Sequence, residues 1–84
     1  MVIHKNMFDQ NSNESTIMVS GGFDPVHAGH IRMIRAAAEF GNVIVVANSD
    51  KWLNEKKGFV FMGFEQRAEI LNSIKGVVLV SDVD

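Results

Sequence analysis

Ile17-Met18-Val19-Ser20-Gly21-Gly22-Phe23-Asp24-Pro25-Val26-His27-Ala28-Gly29-His30 is the stretch that decides the fold of this chain. Its first four residues are a short apolar run that stops at two glycines, the pattern of a buried strand ending in a tight turn. Gly21 and Gly22 let the backbone turn sharply and approach a ligand closely. His27 and His30 stand three apart at the start of a helix, so both imidazoles face the same side of its first turn. Free N–H groups and the positive end of the helix dipole point there too, which favours a phosphate. Gly29 between them keeps a side chain out of that space. A His pair at this spacing is by itself a surface or capping pair, and Gly-Gly after a strand is by itself only a turn. Their combination behind the first strand of a βαβ unit points to an anion-binding loop. It is neither a P-loop nor a dinucleotide-binding loop, because both glycine patterns are absent.

Outward from this loop, the period changes to that of an amphipathic helix from Ala28 to about Phe40. Ile31, Ile34, Ala37 and Ala38 form its apolar side, and Gly41 is its stop. Val43 to Ala47 is unbroken and β-branched, which suits a strand covered on both faces. Asn48 to Gly63 reads as a long loop with a helical turn around Lys51–Leu53 and an apolar island at Phe59–Met62. Phe64 to Ile74 is a second helix, with Phe64, Ala68, Leu71 and Ile74 as one stripe. Glu65 falls in its first turn and Lys75 in its last, as the dipole favours. Val77 to Val80 is a third strand. The order βαβαβ implies right-handed crossovers, an α/β Rossmann-like parallel sheet of three strands, and a ligand site at the strands' carboxyl ends. The loop Gly21–His30 lies there.

Composition narrows the chemistry. Eighty-four residues are too few for two domains or a repeat array. The 46% apolar and 21% charged content is that of a globular chain. Without cysteine there is no disulfide, Cys-ligated zinc or Cys nucleophile. His4, His27 and His30 are too few and too badly spaced for a closed metal site, so no protein-held metal is expected. A net charge of −2 supplies no basic excess for nucleic-acid binding. No apolar run approaches the ~18 residues of a membrane span. Residues 1–16 read as a polar, flexible leader without the apolar stretch of a signal peptide, and His4 within it as uninvolved. Residues 17–84 are then the folded domain, and the protein is expected in the cytoplasm.

The segment His27-Ala28-Gly29-His30, with Gly21-Gly22-Phe23-Asp24 before it, resembles the H-x-G-H signature of the cytidylyltransferase-like nucleotidyltransferase superfamily. Asn48-Ser49-Asp50-Lys51-Trp52-Leu53, followed by Lys56-Lys57-Gly58, looks like the segment after the second strand in such enzymes. Phe64-Glu65-Gln66-Arg67-Ala68-Glu69-Ile70 resembles their next helix. Glycerol-3-phosphate cytidylyltransferase and heptose-phosphate adenylyltransferase are the nearest types. The family fold is longer, with further strands and a late Ser/Thr-rich triphosphate motif that nothing here matches. The resemblance therefore covers the amino-terminal part of that fold.

The resemblance implies transfer of CMP or AMP from CTP or ATP to a small phosphate monoester, such as glycerol 3-phosphate or a sugar phosphate, with release of pyrophosphate. His27 and His30 would be the catalytic pair. Gly21, Gly22, Phe23, Asp24 and Gly29 would shape the nucleotide loop, and Lys56 or Lys57 would contact phosphate. Arg67 would reach a phosphate or the acceptor; the plainer reading is a surface arginine paired with Glu65 or Glu69. Trp52 is a binding-site aromatic or a core anchor. Phe59, Phe61 and Met62 form a hydrophobic lid or a subunit contact. Mg²⁺ would be bound mainly through substrate phosphates. A homodimer or a completing partner chain is the implied assembly. The alternative is a non-catalytic nucleotide-binding remnant or a module that acts through a partner.

Overall fold

The computed structural model describes residues 2–5 and 15–84, with side chains from Ser15 onward and at Val2 and Ile3. The expected flexibility of residues 6–14 and the non-involvement of the His4 side chain lie outside the described residues. The elements are β1 (Val2–Lys5), β2 (Thr16–Gly21), α1 (Ala28–Ala37), β3 (Asn42–Asn48), α2 (Asp50–Lys57), α3 (Phe64–Asn72) and β4 (Val77–Val83). They form one sheet in the order β1-β2-β3-β4.

β2, β3 and β4 are parallel, as the alternation with helices requires. The sheet is nevertheless mixed and has four strands. Val2–Lys5, expected within a flexible leader, pairs antiparallel with β2, placing Ile3 opposite Val19. Four residues are too short for periodicity to reveal, and their pairing comes from the free edge of β2. A second difference concerns residues 48–63. Asp50–Lys57 is a full helix rather than one turn inside a loop. Ser49 caps it by accepting the Trp52 N–H at 3.0 Å, and Gly58 ends it in the left-handed region at φ 82°. Its apolar stripe is weak because only Leu53 is buried. α3 stops at Asn72, so Lys75 falls beyond the helix rather than in its last turn.

Ile17 and Val19 of β2 and Val43, Val45 and Ala47 of β3 point to one side. There they pack with Ile34 and Ala37 of α1, Leu71 of α3, and Ile74 just beyond it. Right-handed crossovers that step twice in the same direction place both helices on the same face. Of the stripes foreseen from the sequence, Ile34 and Ala37 of α1 and Leu71 and Ile74 of the α3 stripe line this core, with Ile31, Ala38 and Phe64 at its margin, while Ala68 is half-buried outside the cluster. Among the described residues no helix is long and apolar enough to cross a membrane.

Gly76, immediately before β4, has φ 98°, and a Cβ there would lie 2.5 Å from the Ala38 Cβ. Gly76→Ala therefore combines an unfavourable backbone with overpacking. It is expected to destabilise the fold by about 2–4 kcal/mol, read from urea unfolding midpoints.

Candidate functional site

Each site residue is placed by the carboxyl end of the sheet. β2 ends at Gly21 and the chain turns through Phe23, whose φ of 53° lies in the left-handed region. A non-glycine residue pays about 1–2 kcal/mol for that conformation. Burial of the Phe23 ring, 3% exposed, offsets the cost. That ring meets His30 edge-on, with centroids 5.0 Å apart.

His27 is the N-cap of α1, and its Nδ1 accepts the Gly29 N–H at 3.0 Å. His30 reaches back, and its Nδ1 accepts the His27 N–H at 3.2 Å. This is a capping box in which two imidazoles take the places usually held by Ser and Glu. The rings stack at 3.8 Å with planes 27° apart. Because both Nδ1 atoms accept hydrogen bonds, each neutral ring carries its proton on Nε2. The Nε2–H groups are thereby left to donate outside the loop. A Cβ at Gly29 would lie 2.8 Å from His27 Cε1, so the missing side chain makes room for the capping ring.

Asp24 joins this loop to the segment after α2. Its carboxylate takes Lys57 Nζ at 2.7 Å and the Phe61 N–H at 2.8 Å on Oδ2, and the Met62 N–H on Oδ1. Desolvation is the largest single influence on this carboxyl and pushes its pKa up. The bonds from Lys57, Phe61 and Met62, with the Lys57 charge, together outweigh it and leave the pKa below the usual aspartate value. Of the two candidate lysines, Lys57 thus stands beside the loop. Lys56 lies over the Trp52 ring instead, 5.7 Å from its centroid. Trp52 is half-buried outside the core cluster. Phe59 and Phe61 are exposed next to the Asp24 latch.

The surroundings of Arg67 match neither a phosphate contact nor a surface pair with Glu65 or Glu69. Its side chain is fully buried. Nε donates to Met62 O at 2.9 Å, one terminal nitrogen to Gly22 O at 2.8 Å and Asn48 O at 2.6 Å, and the other to Asp50 Oδ1 at 2.7 Å. Four of its five donors are spent inside the protein. Asp50 and Ser49 are the residues that sequence reasoning passed over here. The Ser-Asp start of a helix was the available signal for both.

Among the described residues no group of three or more His, Asp or Glu side chains could hold a metal. Asp24, the acidic side chain of the loop, already accepts three hydrogen bonds. A cleft of about 860 Å³ opens between Arg32 and Arg35 of α1 and Ser73–Gly76, and no residue of the Gly21–His30 loop lines it.

Comparison with known proteins gives this geometry its context. The family model described as Cytidylyltransferase-like matches residues 18–84. The chain belongs to the cytidylyltransferase-like family. It is 37% identical to glycerol-3-phosphate cytidylyltransferase of Staphylococcus aureus over 65 residues, covering 76% of this chain and 49% of that protein. It is 36% identical to FAD synthase of Pyrococcus horikoshii over 63 residues, covering 73% and 43%. It is 37% identical to the bifunctional protein HldE of Koribacter versatilis over 71 residues, covering 81% and 15%. The chain thus spans less than half the length of each of these relatives. The family match and the likeness to a cytidylyltransferase place the chain among nucleotidyltransferases without fixing a substrate.

Two outcomes follow from the local geometry. Arg67→Met leaves the Gly22, Asn48 and Met62 carbonyls without their partner and should cost about 3–5 kcal/mol, enough to unfold so small a domain. Arg67→Lys, with three donors and no planar fork, should retain a fold at reduced stability, whereas Asp50→Asn should change little because its side chain is half exposed. Chemical denaturation of the three variants checks the order.

The second outcome concerns pH. Desolvation and the neighbouring His27 charge hold the His30 pKa below the ordinary histidine value. As pH falls through about 6.5 the unfolded chain binds a proton that the folded ring refuses, so stability drops below that pH and levels off under the lowered folded pKa. Thermal unfolding between pH 7.5 and 5 should show this loss. His30→Gln, which keeps a capping acceptor but does not titrate, should reduce it.

Proposed function

We propose that this chain forms the triphosphate-binding part of a cytoplasmic nucleotidyltransferase. The enzyme moves CMP from CTP, or AMP from ATP, onto a small phosphate monoester such as glycerol 3-phosphate or a sugar phosphate. The observation that carries the reading is the stacked pair of imidazoles at the N-terminus of α1, with both Nδ1 atoms engaged by the backbone and both Nε2–H groups left to donate. Two parallel donors on a helix N-terminus suit a triphosphate better than a neutral ligand.

In the reaction an oxygen of the acceptor phosphate bonds to the α-phosphorus while the bond to the bridging oxygen of pyrophosphate breaks. The acceptor is already anionic at neutral pH, so neither a general base nor a protein nucleophile is needed. The work left to the protein is alignment and stabilisation of charge on the five-coordinate α-phosphate. His27 and His30 supply hydrogen bonds there, and Lys57, tied to Asp24 but one-third exposed, supplies a cation beside the loop. Gly22 and Phe23 fix the backbone that holds them. Mg²⁺ would arrive on the triphosphate and offset its charge.

A second reading, nucleotide binding without turnover, is favoured for the isolated 84 residues by their spanning less than half of each relative described above. The two readings share a site and separate in one experiment. Titration calorimetry with MgCTP and MgATP should give binding that a His27→Ala, His30→Ala double variant loses; unchanged binding by that variant sinks the site. Pyrophosphate release with glycerol 3-phosphate then divides them, and in a protein that turns over, each single variant should lose ~10²–10³ in rate.

A further inference from the structure

The Asp24–Lys57 pair is unequal. The carboxylate is almost wholly enclosed, with 1% of its side chain exposed, whereas the lysine side chain is 32% exposed on a flexible stem. Two of the three bonds to the carboxylate come from main-chain N–H groups, those of Phe61 and Met62. Neither can follow a departing lysine. Lys57 Nζ donates twice to this one residue, to Oδ2 at 2.7 Å and to the Asp24 carbonyl at 3.3 Å, and lies 4.9 Å from the centre of the Phe59 ring. A fixed anion and a movable cation thus meet at the loop that carries the histidine pair. Taking one partner from a buried ion pair is costly because the other is left uncompensated. Here two N–H donors stay with Asp24. Together with Lys57 they hold its pKa below the usual aspartate value, against the opposing effect of desolvation. Asp24 therefore remains a carboxylate when the lysine leaves.

We propose that Asp24 acts on phosphate binding through Lys57: it seats the lysine in the empty site, yields it to an incoming polyphosphate and takes it back when the product leaves. The inference rests on the nucleotide reading of the loop and adds a regulating residue to it. Carboxylate and phosphate compete for one ammonium. Part of the attraction between Lys57 and any phosphate is therefore offset by the parting of the ion pair. A lysine without this partner would hold triphosphate and pyrophosphate more tightly. Tightness shared by the bound states before and during transfer does not speed the chemical step, and it slows the release of pyrophosphate afterwards. Once Lys57 has moved, Asp24 also sets a negative charge against the phosphates, the repulsive half of the same device. Asp24 is thus a positioning residue that touches no substrate.

The test titrates MgATP, MgCTP and inorganic pyrophosphate calorimetrically into the parent, Asp24→Asn, Lys57→Met and the double variant. Asp24→Asn should bind each about three- to tenfold more tightly. Lys57→Met should bind more weakly than the parent, and adding Asp24→Asn to it should recover little of the loss. A residue that merely held the segment before α3 in place would give the opposite sign, with weaker binding in Asp24→Asn. That result overturns the proposal, as does a gain in the Lys57→Met background as large as in the parent. A second readout needs neither variant nor nucleotide. Acetic anhydride should modify Lys57 of the empty parent several-fold more slowly than Lys56, which lies over the Trp52 ring instead, as read from peptide masses. Equal rates overturn the seat on Asp24, whatever the fold of Asp24→Asn. A parent that binds no nucleotide while Lys57 stays protected overturns the nucleotide reading and the exchange with it. Binding by the parent without a gain in Asp24→Asn overturns the exchange alone.

Discussion

Arg67 donates four hydrogen bonds from a position with no solvent exposure, and three of its acceptors are main-chain carbonyls from separate parts of the chain. Gly22 O lies just beyond β2, Asn48 O ends β3, and Met62 O lies in the segment before α3. Strand ends at the carboxyl edge of a parallel sheet leave carbonyls that helices on one side cannot satisfy, and a buried carbonyl without a partner costs about 1–3 kcal/mol. A planar guanidinium answers several at once because its donors diverge at fixed angles. The charge is not strongly compensated by Asp50, whose side chain is half exposed. It is solvated instead by oriented carbonyl dipoles. The loops that form the candidate site are therefore registered to one another through the base of α3.

That registration explains how an exposed histidine pair can be ordered. The loop from Gly21 to His30 is fixed beneath by Arg67 through Gly22, on one side by the buried Phe23 ring, and on the other by the Asp24 latch to Lys57, Phe61 and Met62. The imidazoles then need only local bonds, and they take these from their own helix start. The arrangement uses one nitrogen of each ring for structure and leaves the other for chemistry. A Ser or Asp N-cap would serve the helix equally well but would offer no donor of this kind.

Much of this was legible in the sequence because it is periodic or compact. The runs at Ile17–Ser20 and Val43–Ala47, the stripes of α1 and α3, and the glycine-histidine loop each carry their signal within a few residues. What was not legible depends on contacts distant in sequence. α2 buries only Leu53, so its apolar period is too faint to separate from a loop, although Ser49 marks its start. Val2–Lys5 has no pattern of its own and is a strand only because the edge of β2 is there. Lys56 and Lys57 are indistinguishable as a pair of letters. On a helix they stand about 100° apart, which sends one to Trp52 and the other to Asp24. Neither the phosphate contact nor the surface pair expected for Arg67 takes account of the three carbonyls that meet its guanidinium, the farthest of them 45 residues from it in sequence.

The one-sidedness of the sheet follows from the same topology that makes the site. Two right-handed crossovers in one direction bring both helices to one face, and they bring the loops after β2 and β3 together at one edge, where a single arginine can reach both. A crossover in the other direction would cover the second face but would carry its loop away from Arg67. Convergence at the site and exposure of the second face are thus two results of one ordering of strands. The residues meeting at the carboxyl edge, Phe23, Asp24 and Arg67, are buried by that convergence. Met18 and Leu79 stay exposed, and Ile44 between them half-buried, because nothing in the described part of the chain turns back across them.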